Sequence, residues 1–285
     1  MNIIDRSKVL QQVVPLLLTI IILGVLSAVL YGFVVLLNLL PTGTKISLIV
    51  RPVEVFVGIT IYLKTAIDFA IFMGRLMSTN PGWRNRVAIE IGTAMGNAIG
   101  TILVIGIWVV FKEIDLLLAL MVFLAALVLF ELAHGGLEHI EHWESKGLIK
   151  KNLYALLHHF LDFTMRLTQP LLSRIMPDLG AKLKGKEGLG WRALFIFAVS
   201  VPFILGLDDF AGYVPLFNVI NVLGFSLGVF VAHTMLNVAL FLSPAKTIVA
   251  VKNEYISFLG TLAFIFLAFY GLYEVVRIFF HLLVL

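Results

Sequence analysis

Apolar stretches alternate with short polar connections along most of the chain, at residues 13–40, 52–76, 86–111, 115–140, 191–214, 217–242 and 255–283. A run of about 18 or more apolar residues is long enough for a bilayer span, and in lipid it can satisfy its own backbone only as a helix. The pattern therefore predicts an all-α polytopic membrane protein with about seven transmembrane helices. The one long polar segment is 141–190. Within it Leu153, Leu156, Leu157, Phe160, Phe163 and Leu167 recur at helical spacing, while His159, Asp162, Arg166 and Gln169 take another face. That predicts an amphipathic helix lying in the membrane interface. Pro170, Pro177 and the glycines at 180, 185, 188 and 190 are expected to break it up before Trp191.

Composition agrees with the pattern. The chain is 60% hydrophobic and 13% charged, with a mean hydropathy of +1.04, more apolar side chain than one soluble core needs. The first apolar run is too long for a signal-peptide core and has no clear small-x-small cleavage site, so it reads as a retained helix. The absence of cysteine excludes disulfides, thiolate metal sites and thiol catalysis. The net charge of +4 is explained by its distribution and not by nucleic acid. Sixteen of the 21 Lys and Arg residues fall on the side of the N-terminus and the long connection, and four on the other, with Lys64 inside the second span. The imbalance predicts an N-terminus in the cytoplasm and a C-terminus outside. The expected location is a bacterial or archaeal inner membrane.

A repeat emerges from this topology. Asp68-Phe69-Ala70 in the second span is echoed by Asp209-Phe210-Ala211 in the fifth. Each is followed by a helix with Gly-x-x-x-Gly, Gly92 to Gly96 and Gly224 to Gly228, and then by a helix with a late acid, Glu131 or Glu274. The second span would run outside to inside and the fifth inside to outside. The expected organisation is thus an N-terminal helix and loop (1–51), a first three-helix repeat (52–140), a cytoplasmic linker (141–190) and a second repeat of opposite orientation (191–285). Inverted repeats are a common plan for secondary transporters, with sites near the midplane.

Ionisable residues inside spans point to the chemistry, because an unpaired charge near the bilayer centre costs about 2.5–3.5 kcal/mol on insertion scales. Asp68 has Lys64 one turn earlier, an expected ion pair and gate. Asp208 and Asp209 follow Pro202 and Gly206, which are expected to interrupt the fifth helix and free carbonyl oxygens for a cation. Glu90 and Asn97 in the third span, and His233 and Asn237 in the sixth, are further candidate cation or substrate ligands. A separate stripe follows the fourth span. On a continuous helix Glu131, His134, Glu138 and His142 fall within about 80° of one another, which would make a cytoplasmic metal-capture patch.

The sequences IDFA at 67–70 and LDDFAGYVPLF at 207–217, each followed by a Gly-x-x-x-Gly helix, together with the third helix of each half, resemble the broad lysine-exporter superfamily, in particular its cadmium-resistance-type and related metal-exporter branches. The resemblance covers 52–140 and 191–283. It implies an inverted three-plus-three transporter whose first helices bring acids, here Asp68 and Asp209, to a central cation site. The chain departs from it in the extra N-terminal helix, in Lys64 beside Asp68 and in the long histidine-containing linker.

The expected function is export of a small cation, a divalent metal ion in the first instance, by alternating access. The ion is substrate and no cofactor is required. The expected partners are the lipid bilayer, the substrate and a second copy of the chain as a homodimer, without nucleic acid. An amino-acid exporter of the same superfamily is the nearest alternative. A membrane di-iron hydroxylase or desaturase using Glu131, His134, His139, His142, His158 and His159 is a competing class, although such enzymes are expected to use more histidines than the seven present. A packing subunit of a larger membrane complex is a third.

Overall fold

In the computed structural model the described residues are Ser7, 9–43, 45–145, 147–175 and 190–284, with side chains undescribed at 67–68, 172–175, 201, 203–212, 251 and 284. Among them the regular elements are all helical: α1 (Leu10–Leu39), α2 (Pro52–Thr65), α3 (Ile67–Thr79), α4 (Trp83–Phe111), α5 (Asp115–Leu137), α6 (Gly147–Ile175), α7 (Trp191–Tyr213), α8 (Val222–Leu242), α9 (Pro244–Val251) and α10 (Glu254–Val284). Two short 3-10 helices follow α5 and α7, at Glu138–Ser145 and Val214–Asn218. Five helices are long and apolar enough to cross a membrane, and six spans result if the bent pair α2–α3 counts as one.

The expected break in the fifth apolar segment is found instead in the second. α7 continues through Pro202 and Gly206 to Tyr213, whereas α2 and α3 meet at an angle of 67°. At the junction Ala66 has ψ of 16°, far from the helical value near −42°. The Thr65 hydroxyl donates to the Tyr62 carbonyl at 3.1 Å, a side-chain bond of the kind that bends helices. Pro202 removes one backbone bond from α7, but α4 packs closely against this stretch, with Gly96 facing Val199 and the Pro202 ring.

Contacts divide the chain into two compact units. The first contains α1 to α3, α4 through Ile105, α7 through Leu207, α8 and α9. Its central helix, α8, is buried on most sides. α2 lies along α8 so closely that a Cβ on Gly58 would run into the Phe225 carbonyl, and one on Gly228 into the Val55 carbonyl. The start of α2 is set by Pro52 and by Glu54, whose carboxylate accepts the Arg51 N–H at 2.8 Å. Asn221 caps α8 and donates to the Ile49 carbonyl at 2.7 Å. Gly92 and Gly96 of α4 meet Phe195, Ala198, Val199 and Pro202 of α7 in a similar way. The spacing is the same in both pairs: Gly224 and Gly228 face residues 54, 55 and 58, and Gly92 and Gly96 face residues 198, 199 and 202. In both, contacts advance in the same direction along the two chains, so the helices cross in parallel.

The second unit holds α5, α6, α10 and the ends of α4 and α7. Here α5 and α10 run antiparallel, since Gly136 faces Ser257 and Thr261 while Gly271 faces Val122 and Ala126. Phe130, Phe160 and Phe269 form a mutual ring cluster, with centroids 5.5 to 6.0 Å apart. α6 is continuous through Pro170, so the expected interruption there does not occur. Its apolar residues split into two faces. Tyr154, Leu157 and Leu161 are buried, whereas Leu156, Phe163 and Leu167 are exposed, a stripe suited to lipid beside the polar face of Asp162 and Arg166.

Candidate functional site

Two polar stripes face each other inside the first unit. On α4, Glu90, Thr93, Asn97 and Thr101 are all buried and span about 80° of the helix. On α8, Ser226, His233 and Asn237 are buried on one narrow face. The same α4 and α8 use glycines elsewhere to approach α7 and α2, which frees these faces for side chains of real size. The result is a polar seam between α4 and α8.

Thr93 is the centre of the seam. Its hydroxyl donates to the Glu90 carbonyl at 3.1 Å and accepts from the Asn237 amide at 3.2 Å. His233 Nε2 lies 3.3 Å from the same oxygen, and His233 Nδ1 meets the Tyr62 hydroxyl on α2. With the Thr93 proton committed to Glu90, the consistent assignment has Nε2–H donating to Thr93 and Tyr62 O–H donating to Nδ1. The imidazole ring also packs on Phe69 of α3, centroids 5.5 Å apart. One histidine thereby touches both sides of the bend at Ala66.

Among the described residues, four atoms in the seam are buried without a hydrogen-bond partner: Glu90 Oε1, Asn97 Nδ2, Ser226 Oγ and Asn237 Oδ1. An unsatisfied buried polar atom costs about 1–3 kcal/mol, so four together in one seam are unfavourable for stability alone. The other Glu90 oxygen accepts the Thr19 hydroxyl of α1 at 2.7 Å. A small cavity lined by Leu23, Ala94, Asn97 and His233 adjoins them. Carboxylate, amide and hydroxyl oxygens with one imidazole are the donors that a small hard cation takes.

Four of the sequence candidates, Glu90, Asn97, His233 and Asn237, thus occupy this seam. Lys64 is buried in the last turn of α2, two residues from Tyr62. Asp68 falls in α3, and Asp208 and Asp209 in α7, but their side chains lie outside the described residues, and with them the expected Lys64–Asp68 pair. Tyr62, Thr93 and Thr19 were not candidates from sequence. The position of Thr93, one turn from both Glu90 and Asn97, is the signal that would have found it.

The stripe after the fourth span does not remain one helix. α5 tightens into a 3-10 helix at Glu138, which turns three residues per turn in place of 3.6 and rotates later side chains off the stripe. His142 pairs with Glu254, which also holds Lys150 at 3.2 Å and Trp143 Nε1 at 3.0 Å. His134 instead meets Asp162 of α6 at 2.9 Å, and His158 takes the other Asp162 oxygen at 3.0 Å. The hydrogen bond from His134 holds the Asp162 carboxyl below the usual carboxylate range; partial burial opposes this, and His158 and Arg166 add to it. Among the described residues no three His, Asp or Glu side chains gather as a metal site.

Glu131, His134, Glu138 and Asp162 line a cleft of about 440 Å³. A second cleft of about 620 Å³ is lined by Tyr270, Glu274, Arg277, Ile278 and His281 of α10, with Asp115 and Asn218. The two repeat one register: 131, 134 and 135 on α5 with 138 at the start of the 3-10 helix, and 274, 277, 278 and 281 on α10. The acid is treated differently in each. Glu274 accepts from Arg277 and Tyr270, both at 3.1 Å, while Glu131 Oε2 is buried without a partner.

The chain matches no family model, no curated protein and no solved structure.

Proposed function

We propose that the chain is a secondary transporter of a small cation, built from one accessory helix and two three-helix repeats of opposite orientation. The carrying observation is the reciprocal glycine packing. Let the repeats be α2/α3–α4–α5 and α7–α8–α10. Then the first helix of each packs on the second helix of the other at matching positions, Gly224 and Gly228 on 54–58 and Gly92 and Gly96 on 198–202. Both of these pairs are parallel, and the third helices, α5 and α10, pair antiparallel. Repeats of like orientation would reverse all three senses. Inverted repeats give the observed set and agree with the seven-span, N-inside topology that the Lys and Arg distribution predicts. At 23 residues, α7 has the length of about 34 Å that a span requires.

The polar seam supports a cation as substrate, a divalent ion in the first instance. Among the described residues Glu90 Oε1 and Asn237 Oδ1 lack a partner, Thr93 links Asn237 to His233, and the α2–α3 bend lies two residues before Asp68. In this reading Asp68 and Asp209 complete the site from the first helix of each repeat. Substrate arrival at His233 would exchange the Tyr62 hydrogen bond for a ligand bond, and so couple occupancy to the angle at Ala66. Alternating access then follows from rocking of one repeat against the other.

The test is flux into proteoliposomes of defined internal cation across a panel of divalent and monovalent ions. Wild-type protein is expected to carry at least one of them, and Asp68→Asn, Asp209→Asn and Asn237→Leu to reduce it at least tenfold. Wild-type flux in all three variants would remove the central site.

A further inference from the structure

A cleft of about 350 Å³ opens in the first unit where α1 and α4 begin and α8 ends, lined by Gln11, Gln12, Gly82, Trp83, Arg86 and Phe241. Those three helix ends bound apolar segments long enough to span a membrane, so the cleft sits at headgroup depth and not in the hydrocarbon. Its composition suits that level: an indole, two amides and one guanidinium, with no acid among the described residues of the lining. Trp is a residue of membrane interfaces, and basic pockets between spans on the cytoplasmic side are a recurrent headgroup site.

Arg86 carries the charge of this cleft. Its guanidinium stands over the Phe241 ring at 5.4 Å, and one terminal nitrogen reaches the Phe241 carbonyl only at 3.5 Å. Its Nε is buried with no hydrogen-bond partner. Glu90, one turn along α4, feels the Arg86 charge but gives one oxygen to Thr19, and among the described residues no ion pair within 4.0 Å joins the two. A half-buried guanidinium with an orphaned Nε retains the planar fork that matches a phosphate. Ring stacking fixes the orientation of that fork, which reduces the entropy lost when the anion arrives.

We propose that this cleft binds a phosphate group, supplied in the membrane by the headgroup of an anionic phospholipid. Arg86 makes the charged contact, Gln12 offers an amide donor, and Trp83 packs along the glycerol region. α1 and α8 each contribute a wall, so the lipid ties the accessory helix to the repeats. The proposal stands independently of the transported species.

The experiment uses the full chain in nanodiscs of phosphatidylcholine alone and with one fifth phosphatidylglycerol, read by native mass spectrometry and by thermal unfolding. Wild-type protein is expected to retain phosphatidylglycerol in preference to phosphatidylcholine and to melt higher in its presence. Arg86→Gln should weaken that preference about fivefold to tenfold. Arg86→Lys keeps the charge without the fork and should retain part of the preference; it serves as the reading if the glutamine variant does not fold. Arg75→Gln, outside the cleft, should behave as wild type. Equal retention of both lipids by wild type, or an undiminished preference in both Arg86 variants, overturns the site. Stabilisation by inorganic phosphate in phosphatidylcholine, with none from phosphatidylglycerol, overturns the lipid as its source.

Discussion

The first unit sets a row of buried polar side chains between helices whose backbones touch at glycine, while the second carries a histidine–carboxylate set that stays partly exposed. In the seam Thr93 serves three partners at once, and four further polar atoms have none among the described residues. In the cleft on α5 and α6, His134, His158 and Asp162 satisfy one another while remaining about a third exposed or more. A buried group that lacks a partner keeps its full electrostatic strength for a ligand, whereas a paired and partly solvated one has little left to offer. On the transporter reading proposed above, the ligand chemistry belongs to the seam.

The largest effect expected from breaking this contrast comes from the glycines. Gly228→Ala and Gly96→Ala each drive a methyl into a backbone carbonyl, of Val55 or Val199, and neither carbonyl can move without shifting its helix. Each should cost roughly 3 kcal/mol or more, at the upper end of overpacking, and thermal unfolding in detergent should show a large loss of folded protein. Gly135→Ala in α5 meets nothing within 4 Å. It should be neutral or gain up to about 1 kcal/mol from helix propensity. Equal losses at Gly228 and Gly135 would refute the contrast.

Asn237→Leu comes next, because it separates stability from function. It removes the Thr93 contact and also the orphaned Oδ1, so unfolding should change by no more than about 1 kcal/mol in either direction while cation flux falls at least tenfold. A variant that unfolds readily yet transports normally when intact would make the seam a packing feature. Tyr62→Phe is expected to keep the fold and to change the pH dependence of flux, since it releases His233 Nδ1 from its donor.

The smallest effect belongs to the cleft. Asp162→Asn loses two histidine contacts on a partly exposed carboxylate, worth within about 1 kcal/mol. Because the folded carboxyl titrates below its unfolded value near 3.9, the stability it adds is present above that unfolded value. It is lost as pH falls through the lower folded one. Urea unfolding of wild type and variant should therefore differ at pH 6 and converge in strong acid. A difference that persists at acid pH would mean that Asp162 acts through packing.

Apolar run length alone made the helical, membrane-spanning character readable, since no other backbone arrangement of such segments survives in lipid. Glu90, Asn97, His233 and Asn237 were also legible as candidates, because polar side chains are costly within those runs. The reciprocal Gly-x-x-x-Gly signals were visible as motifs, but not which helix each one would meet. Tertiary structure alone decided that Thr93 and Tyr62 join them, that the bend falls at Ala66 while α7 continues through Pro202, and that a 3-10 turn sends His142 to Glu254 and leaves His134 to Asp162. The physical reason is one of range. Burial preference and helical period act within a segment and are written along it, whereas a bend, a shared hydroxyl or a contested carboxylate depends on which neighbour packing brings within about 3 Å.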